Sequence, residues 1–498
     1  MRLRLRAGWQ PTAAGADCQS ARSLTSCPTN AALAAICVCA ALLAGCTMGP
    51  NYQRPQVKTP ANFRAPEPLP APQAASLADL KWWDVFKDAK LQELIRAALA
   101  ANYDLRDAMA REEAARAELG FTRANQYPQV GATGALEITR LSRDGATPLP
   151  ASALPSQNRN WGEAMADLLS FEVDLWGRLR RATEAARANL LSAEDYRKGV
   201  VVTLVSDVAT AYLHLRELDY ELEIAKQTLA TRQNSLNLTL DRQKGGVATL
   251  LELRQAEQLV DTADQAIPGI EQQIEQTENQ ITLLMGQNPG EIARGQDFTQ
   301  QEMPPEAPAG LPSALLERRP DIMAAEQNLV AANANIGVAR AAYFPRITLS
   351  GVLGGSSTEL TNLFSGSRSL WNFVPQVSQP IFAAGGLKAG MKLAQAQRDE
   401  ATIQYEKAIQ TAFTDVSNAL IAHQRVRESR VKQEALVATL KDRERLAYLR
   451  YRGGVDTELN ALDADRDLFQ AQISLAEIRL NEMLSVVQLY KALGGGWE

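Results

Sequence analysis

The chain has 498 residues, a formal net charge of −5 and hydrophobic side chains at 46% of its positions. An acidic balance excludes the basic surface that a nucleic-acid partner requires, and the length suffices for a large core or several packed layers. All five cysteines (Cys18, Cys27, Cys37, Cys39 and Cys46) lie near the start, which excludes a disulfide framework or a Cys-based metal site in the remainder.

The start predicts export and anchoring. Arg2, Arg4, Arg6 and Arg22 precede an apolar run from Ala31 to Leu43, which ends in Leu43-Ala44-Gly45-Cys46. A positive n-region, a short apolar h-region and small residues before a cut describe a secretory signal over residues 1–45. Cys46 directly after Ala-Gly resembles a bacterial lipobox, in which the thiol is acylated and becomes the new N-terminus. It is then the only cysteine of the mature chain, and attachment explains it. Thr47, where Asp would signal inner-membrane retention, favours the outer membrane by resemblance to lipoprotein sorting rules. No other apolar run reaches the roughly 18 residues of a transmembrane helix, so any membrane crossing falls to strands.

Residues 46–87 read as a tether rich in Pro, Ala and Gln that leads into an equatorial segment, with Trp82-Trp83 as core. A single helix is predicted over 88–126. It ends at Tyr127-Pro128, because Pro biases its predecessor to extended geometry. The period then changes to two: Val130, Ala132, Gly134, Leu136 and Ile138 alternate with Gln129, Gly131, Thr133, Ala135, Glu137 and Thr139. After a polar stretch, Leu169, Phe171, Val173 and Leu175 alternate with Ser170, Glu172 and Asp174. Such alternation marks strands with one apolar and one polar face, and 127–176 is predicted as a β-hairpin. Trp176 and Trp371 are placed near strand ends, either in an interfacial aromatic belt or packed in the equatorial region or at the barrel mouth.

From Arg178 to Lys244 there is no Pro, and Val201, Leu204, Val208, Ala211, Leu215, Leu218, Leu222, Ala225 and Leu229 keep spacings of three and four. That is a coiled-coil seam. At 1.5 Å per residue such a helix spans about 100 Å. The helical hairpin over 177–286 turns at Gly245-Gly246, with a return helix interrupted at Pro268-Gly269. After a linker over 287–319, the plan recurs: a helix over 320–343, a β-hairpin over 344–383, a helical hairpin over 384–494 turning at Gly453-Gly454, and a tail over 495–498. Local echoes support a duplication. LGFTRANQYPQV from Leu119 matches IGVARAAYFPRI from Ile336, RQKGGVAT from Arg242 matches RYRGGVDT from Arg450, and Met285-Gly286 matches Leu493-Gly494. Two structural repeats follow.

The expected fold is mainly α with a membrane β-barrel. Four strands cannot close such a barrel, whose smallest examples use eight, and open edges are not tolerated in lipid. A homotrimer solves both problems with twelve strands, and it sets the long helices around the same axis as a tube. CTMGPNYQRP, WWDVFKDAKLQELIRAALAANYDL, LPSALLERRPDIMAAEQNLVAANANIGVARAAYFPRITLSG and LYKALGGGW together resemble the TolC-like outer-membrane efflux family, in particular the NodT-type lipoproteins of resistance-nodulation-division pumps. The resemblance covers essentially the whole mature chain. It implies a homotrimer with a 12-stranded β-barrel, a periplasmic α-barrel and an equatorial belt. It also implies docking to a periplasmic adaptor (membrane fusion) protein and an inner-membrane pump, and a barrel set in outer-membrane lipids. The implied function is a passive outer-membrane channel of a tripartite efflux system; the alternatives are a type I secretion duct or a periplasmic coiled-coil scaffold.

In that family the periplasmic tip is a closed iris. Leu459, Asp463 and Arg466 occupy the corresponding gate positions, and their i, i+4, i+7 spacing places them on one helix face. The alternative for this stretch is a solvated charged face, since Asp465 and Asp467 flank it. Gly245, Gly246, Val247, Gly453, Gly454 and Val455 form the two tip turns, read either as adaptor contacts or as plain helical turns. Arg318-Arg319-Pro320-Asp321 reads as a helix start with a structural salt bridge. Enzyme chemistry lacks its parts. Only His214 and His423 occur, both in long helices, and the sequence has no phosphate loop, no HExxH and no G-x-S-x-G. No cofactor or metal is expected.

Overall fold

The computed structural model describes residues 47–66, 76–140, 158–301 and 312–497. The leader over 1–45, Cys46 and the last residue of the expected tail lie outside the described residues. Helix α1 (Ala89–Ala101) starts where the Asp88 carboxylate accepts the Lys90 amide at 2.8 Å. Asn102 then ends it and opens α2 (Tyr103–Ala124): its side chain accepts the Leu105 amide at 2.9 Å and donates to the Leu284 carbonyl at 2.9 Å. The one helix expected over 88–126 is therefore two. An Asn at an N-cap takes non-helical dihedrals to bond the next turn. Trp82 is buried, but Trp83 is 38% exposed beneath Lys81, so only the first of the pair is core.

Four strands form one antiparallel sheet in the order β1-β2-β3-β4: β1 (Val130–Arg140), β2 (Asn158–Glu172), β3 (Arg346–Ser357) and β4 (Ser369–Ser378). The two hairpins thus join through β2 and β3. Residues directly opposite share a face, and the register pairs Val130 with Leu168, Ala166 with Leu353, Leu353 with Trp371 and Gly351 with Phe373. One face is therefore apolar, with Leu136, Ile138 and Val377 exposed on it as well. The other carries Thr133, Glu163, Asp167, Asn372 and Gln376. β2 departs from its expected extent. It begins at Asn158, ends before Val173, and holds a bulge between Leu168 and Phe171. The bulge returns Phe171 to the apolar side and leaves Leu169 opposite Gln129, on the polar side.

Each strand is joined to a helix by a short link. α3 (Arg178–Lys244) follows β2, α5 (Pro320–Ala341) precedes β3, and α6 (Gly386–Arg452) follows β4. α4 (Leu250–Leu284) returns from the first tip and α7 (Glu458–Ala492) from the second. Pro268 does not interrupt α4: it sits exposed between the buried Ala263 and Ile270, and packing of that apolar face carries the helix past the lost hydrogen bond. α3 packs on α2, α4, α5 and α7, while α6 packs on α5 and α7. Tyr405, Ile409, Ala412, Val416 and Leu420 bury a heptad-like stripe of α6, whereas Leu393, Ile403, Leu446 and Leu449 stay exposed. No helix among the described residues is long and apolar enough to cross a membrane.

An N-terminal strap fastens the base of the sheet. The Met48 amide donates to the Trp176 carbonyl at 2.9 Å, and Arg181 reaches the Met48 carbonyl and Asn51 at 3.2 and 2.7 Å. Trp176 stacks on Phe344 at 4.7 Å and donates to the Pro345 carbonyl at 2.8 Å, so it is packed at the base of the sheet, whereas Trp371 is 77% exposed on the apolar face. The Arg319 guanidinium pairs with Asp321 at 2.7 Å and Asp415 at 3.0 Å at the start of α5. Gly337 lies against the strap so closely that a Cβ there would stand 2.7 Å from the Met48 carbonyl oxygen and 2.8 Å from the Arg181 side chain. Helix propensity alone favours Ala over Gly by about 1 kcal/mol. Gly337→Ala is expected to act the other way, releasing residues 47–55; hydrogen exchange that leaves the strap as protected as in the parent would contradict this.

Candidate functional site

The far end of the helices carries every site residue expected downstream of Cys46. Both turns have one geometry. Gly245 and Gly453 cap with φ of −75° and −74°, and Gly246 and Gly454 take φ of 78° and 71°, so only the second glycine of each pair needs the left-handed region. The Val247 amide closes back on the Arg242 carbonyl at 2.9 Å, and Val455 on Arg450 at 3.1 Å, the Schellman pattern. Val247 and Val455 are left 70% and 69% exposed, so each tip presents an apolar side chain with no partner in its own chain.

α7 has two faces just above its tip. Leu459, Asp463 and Arg466 lie on the accessible one, where Arg466 Nη1 pairs with Asp463 Oδ1 at 3.2 Å and Nη2 with Asp467 Oδ1 at 3.4 Å. Asp467 also takes Arg443 of α6 at 2.7 Å, and that hydrogen bond is the main force holding its carboxyl below the usual range. Asp465 departs from the solvated-face reading. It is 6% exposed, turned into the seam between α7 and α3.

There it meets Arg232 of α3, whose Nε donates to Asp465 Oδ2 at 2.7 Å and whose Nη1 donates to the Leu259 carbonyl of α4 at 3.0 Å. Phe469 places its ring 5.2 Å from the same guanidinium. Nearer the tip the Thr239 hydroxyl donates to the Glu458 carboxylate, and Arg242 lies 4.6 Å from the Tyr451 ring centre. Burial pushes the Asp465 and Glu458 carboxyls up, against the pull of Arg232 on the first and of the Thr239 and Tyr451 hydroxyls on the second. One arginine thus ties three helices from both hairpins together. Only its own helix and sequence neighbours are visible in the sequence, so the clamp had no local signal.

The remaining candidates stay structural. His423 shares a hydrogen bond with Ser485 at 2.9 Å, half-buried between α6 and α7, and His214 is half-buried on α3. Among the described residues no cluster of His, Cys, Asp or Glu is arranged to hold a metal. The arrangement offers no reacting group, and what it does offer is a charged, two-faced tip on a helical column.

The model of the outer membrane efflux protein family matches residues 94–287 and 311–495, once for each repeat. A toluene efflux pump outer membrane protein, TtgC of Pseudomonas putida, is 39% identical over 468 residues, 93% of this chain and 96% of the relative. The cation efflux system protein CusC of Escherichia coli is 34% identical over 463 residues, 92% of this chain and 98% of its own. Among solved structures, the open state of the Neisseria gonorrhoeae MtrE outer membrane channel superposes with a TM-score of 0.81 at 32% identity, covering 91% of this chain and 99% of that one.

Arg232→Ala strands a buried carboxylate, which typically costs about 3–5 kcal/mol. Faster hydrogen exchange is expected across residues 232–247 and 453–466, with most protection recovered in the apolar double variant Arg232→Met/Asp465→Leu. A single variant that exchanges like the parent would show that the clamp does not hold the tip.

Proposed function

The chain belongs to the outer membrane efflux protein family, and from that premise we propose that it is the passive outer-membrane duct of a tripartite efflux system. Small molecules handed over by an inner-membrane resistance-nodulation-division pump and its periplasmic adaptor pass through it to the exterior. The chain supplies a path and no energy. The observation that carries this reading is the continuity of sheet and column: strand order β1-β2-β3-β4 is also the order in which α2, α3, α5 and α6 pack side by side. A sheet with an apolar outer face therefore runs directly into a helical wall.

The assembled form is a homotrimer. Three sheets place twelve strands around one axis and pair the free edges of β1 and β4, and the exposed apolar residues of α6 and α2 meet across the protomer boundary. The polar face of the sheet lines the lumen. Acylated Cys46 anchors the chain in the inner leaflet of the outer membrane. Val247 and Val455 at the tips offer the adaptor a contact made of two similar turns. Relatives are named for cargo as unlike as toluene and cations, which supports a duct that leaves the choice of cargo to the pump.

The tip is the gate. Around a threefold axis, three Asp463 side chains form an anionic ring, three Leu459 side chains an apolar constriction, and Arg466 ties the ring to α7. Ion pairs this exposed hold a geometry weakly one by one, typically by less than about 1 kcal/mol, so a set of three suits a closure meant to be broken on assembly. In planar bilayers, Asp463→Ala/Arg466→Ala is expected to raise single-channel conductance sharply over a small parental value. Conductance equal to the parent's would remove the gate from these residues, and no conductance from either protein would count against the channel itself. Cys46→Ser is expected to abolish acyl labelling while the conductance of the purified trimer persists.

A further inference from the structure

Half-way along the column, the seam between α3 and α7 holds a carboxyl group with nothing to neutralise it. Glu217 is 3% exposed, and its Oε1 has no hydrogen-bond donor. One turn further along α3 stands Glu221, and Glu477 faces both from α7. The His214 ring lies beside Glu217, with Nε2 4.0 Å from Oε2, and burial lowers the pKa of that ring, which disfavours its cationic form.

The other charged groups at this level are engaged elsewhere. Arg216 turns to Asp219 at 2.6 Å and to the Gln296 carbonyl at 3.0 Å. On α4, Glu271 takes Lys226 and Glu278 takes Arg294, and on α7 Arg479 takes Glu434 at 3.0 Å. A buried carboxylate with no cation and two acidic neighbours is an arrangement that folding tolerates only when a proton is present. The Glu217 side chain is itself sealed at 3% exposure, so little solvent reaches its carboxyl, while Glu221 is half-buried and Glu477 exposed.

We infer that Glu217 and Glu221 form a proton-binding site in the seam between α3 and α7. A proton shared by the pair on α3 lowers the negative charge set against Glu477 of α7, and its loss leaves like charges facing each other across the seam at mid-column and drives the two hairpins apart. The carboxyl hydrogen of one glutamic acid is donated to the carboxylate oxygen of the other, a bond that neither group makes when both are ionised. Burial, then Glu221, then Glu477 push the Glu217 carboxyl up from 4.5 to about 9, and burial also raises Glu221. The folded pKa of Glu217 is thus above the unfolded one. Its contribution to stability is whole below about 4.5, declines as the unfolded chain ionises, and is gone once pH passes about 9.

The test uses the full-length protein in detergent, with thermal unfolding followed from pH 6 to pH 10. In the parent the unfolding equilibrium is expected to shift by up to about tenfold per pH unit, lowering the midpoint as pH rises. Glu217→Gln keeps the shape and a hydrogen-bond donor without the titration, so it is expected to flatten the profile; Glu221→Gln, on the more accessible partner, is expected to flatten it in part. Hydrogen exchange over residues 212–222 and 473–481 is expected to quicken at pH 9 in the parent and not in Glu217→Gln. Parallel pH profiles for parent and Glu217→Gln would overturn the proposal, as would alkaline exchange that quickens equally in both. Neither readout requires conduction, so a failure of the channel reading would show separately, as silent bilayers beside an intact difference between the profiles.

Discussion

Everything in this chain follows from one unsatisfied demand, the backbone hydrogen bonds of the outer edges of β1 and β4. The order β1-β2-β3-β4 pairs the two inner strands on both sides and leaves each outer strand with a free row of amides and carbonyls. Water would meet that demand on an ordinary sheet, but the face beside those edges carries Val130, Leu136, Ile138, Trp371 and Phe373. In hydrocarbon a free backbone group costs several kcal/mol. Edges and apolar face together require further strands, and in the proposed trimer they come from identical chains. The helices inherit the solution, because each strand continues into one helix through a short link.

That inheritance explains where the polar groups lie. At the sheet end, arginines fasten the strap and the helix starts, as with Arg181 on Asn51 and Arg319 on Asp321. Along the column, the seam between α3 and α7 alternates between apolar stretches and single buried ionisable groups, with Glu217 midway, then Arg232 with Asp465, then Glu458 near the tip. These are the places where the two hairpins meet: Arg232 answers Asp465 and Thr239 answers Glu458 across the seam, while Glu217 faces only like charge there. The accessible face of α7, by contrast, spends its charges on its own helix and on α6.

Much of the fold was legible because its signals are local and long. The period-two runs in β1, β3 and β4, the heptad spacing of α3 and the paired glycine turns each needed only a dozen neighbouring residues. β2 was harder to read. Its positions on the apolar face of the sheet hold Gly162, Ala164 and Ala166 while Trp161 and Met165 face the other way, so size and polarity do not alternate as they do in β1. The bulge then shifted the phase at Leu168, and Leu169 changed sides. Asn102 split a helix whose apolar pattern ran on unbroken, because a cap is decided by one side chain rather than by a period. Of the candidate site, the turns and the Asp463–Arg466 spacing could be read from neighbours along the chain. The clamp of Arg232 on Asp465 could not, since the two are 233 positions apart.

The two halves have drifted in sequence and in their β-hairpins, but their long helices have kept one length. α3 and α6 each have 67 residues, and α4 and α7 each have 35. In the proposed ring of hairpins both kinds of tip must arrive at one level, or the rim offered to the proposed adaptor would be crenellated. Length is therefore the trait the duplication cannot change singly. A deeper or shallower periplasm would have to be matched by insertions made twice, once per half, and in steps near seven residues on each leg so that every seam returns to phase. The chain carries its reach as a gauge written in duplicate, with each copy checking the other.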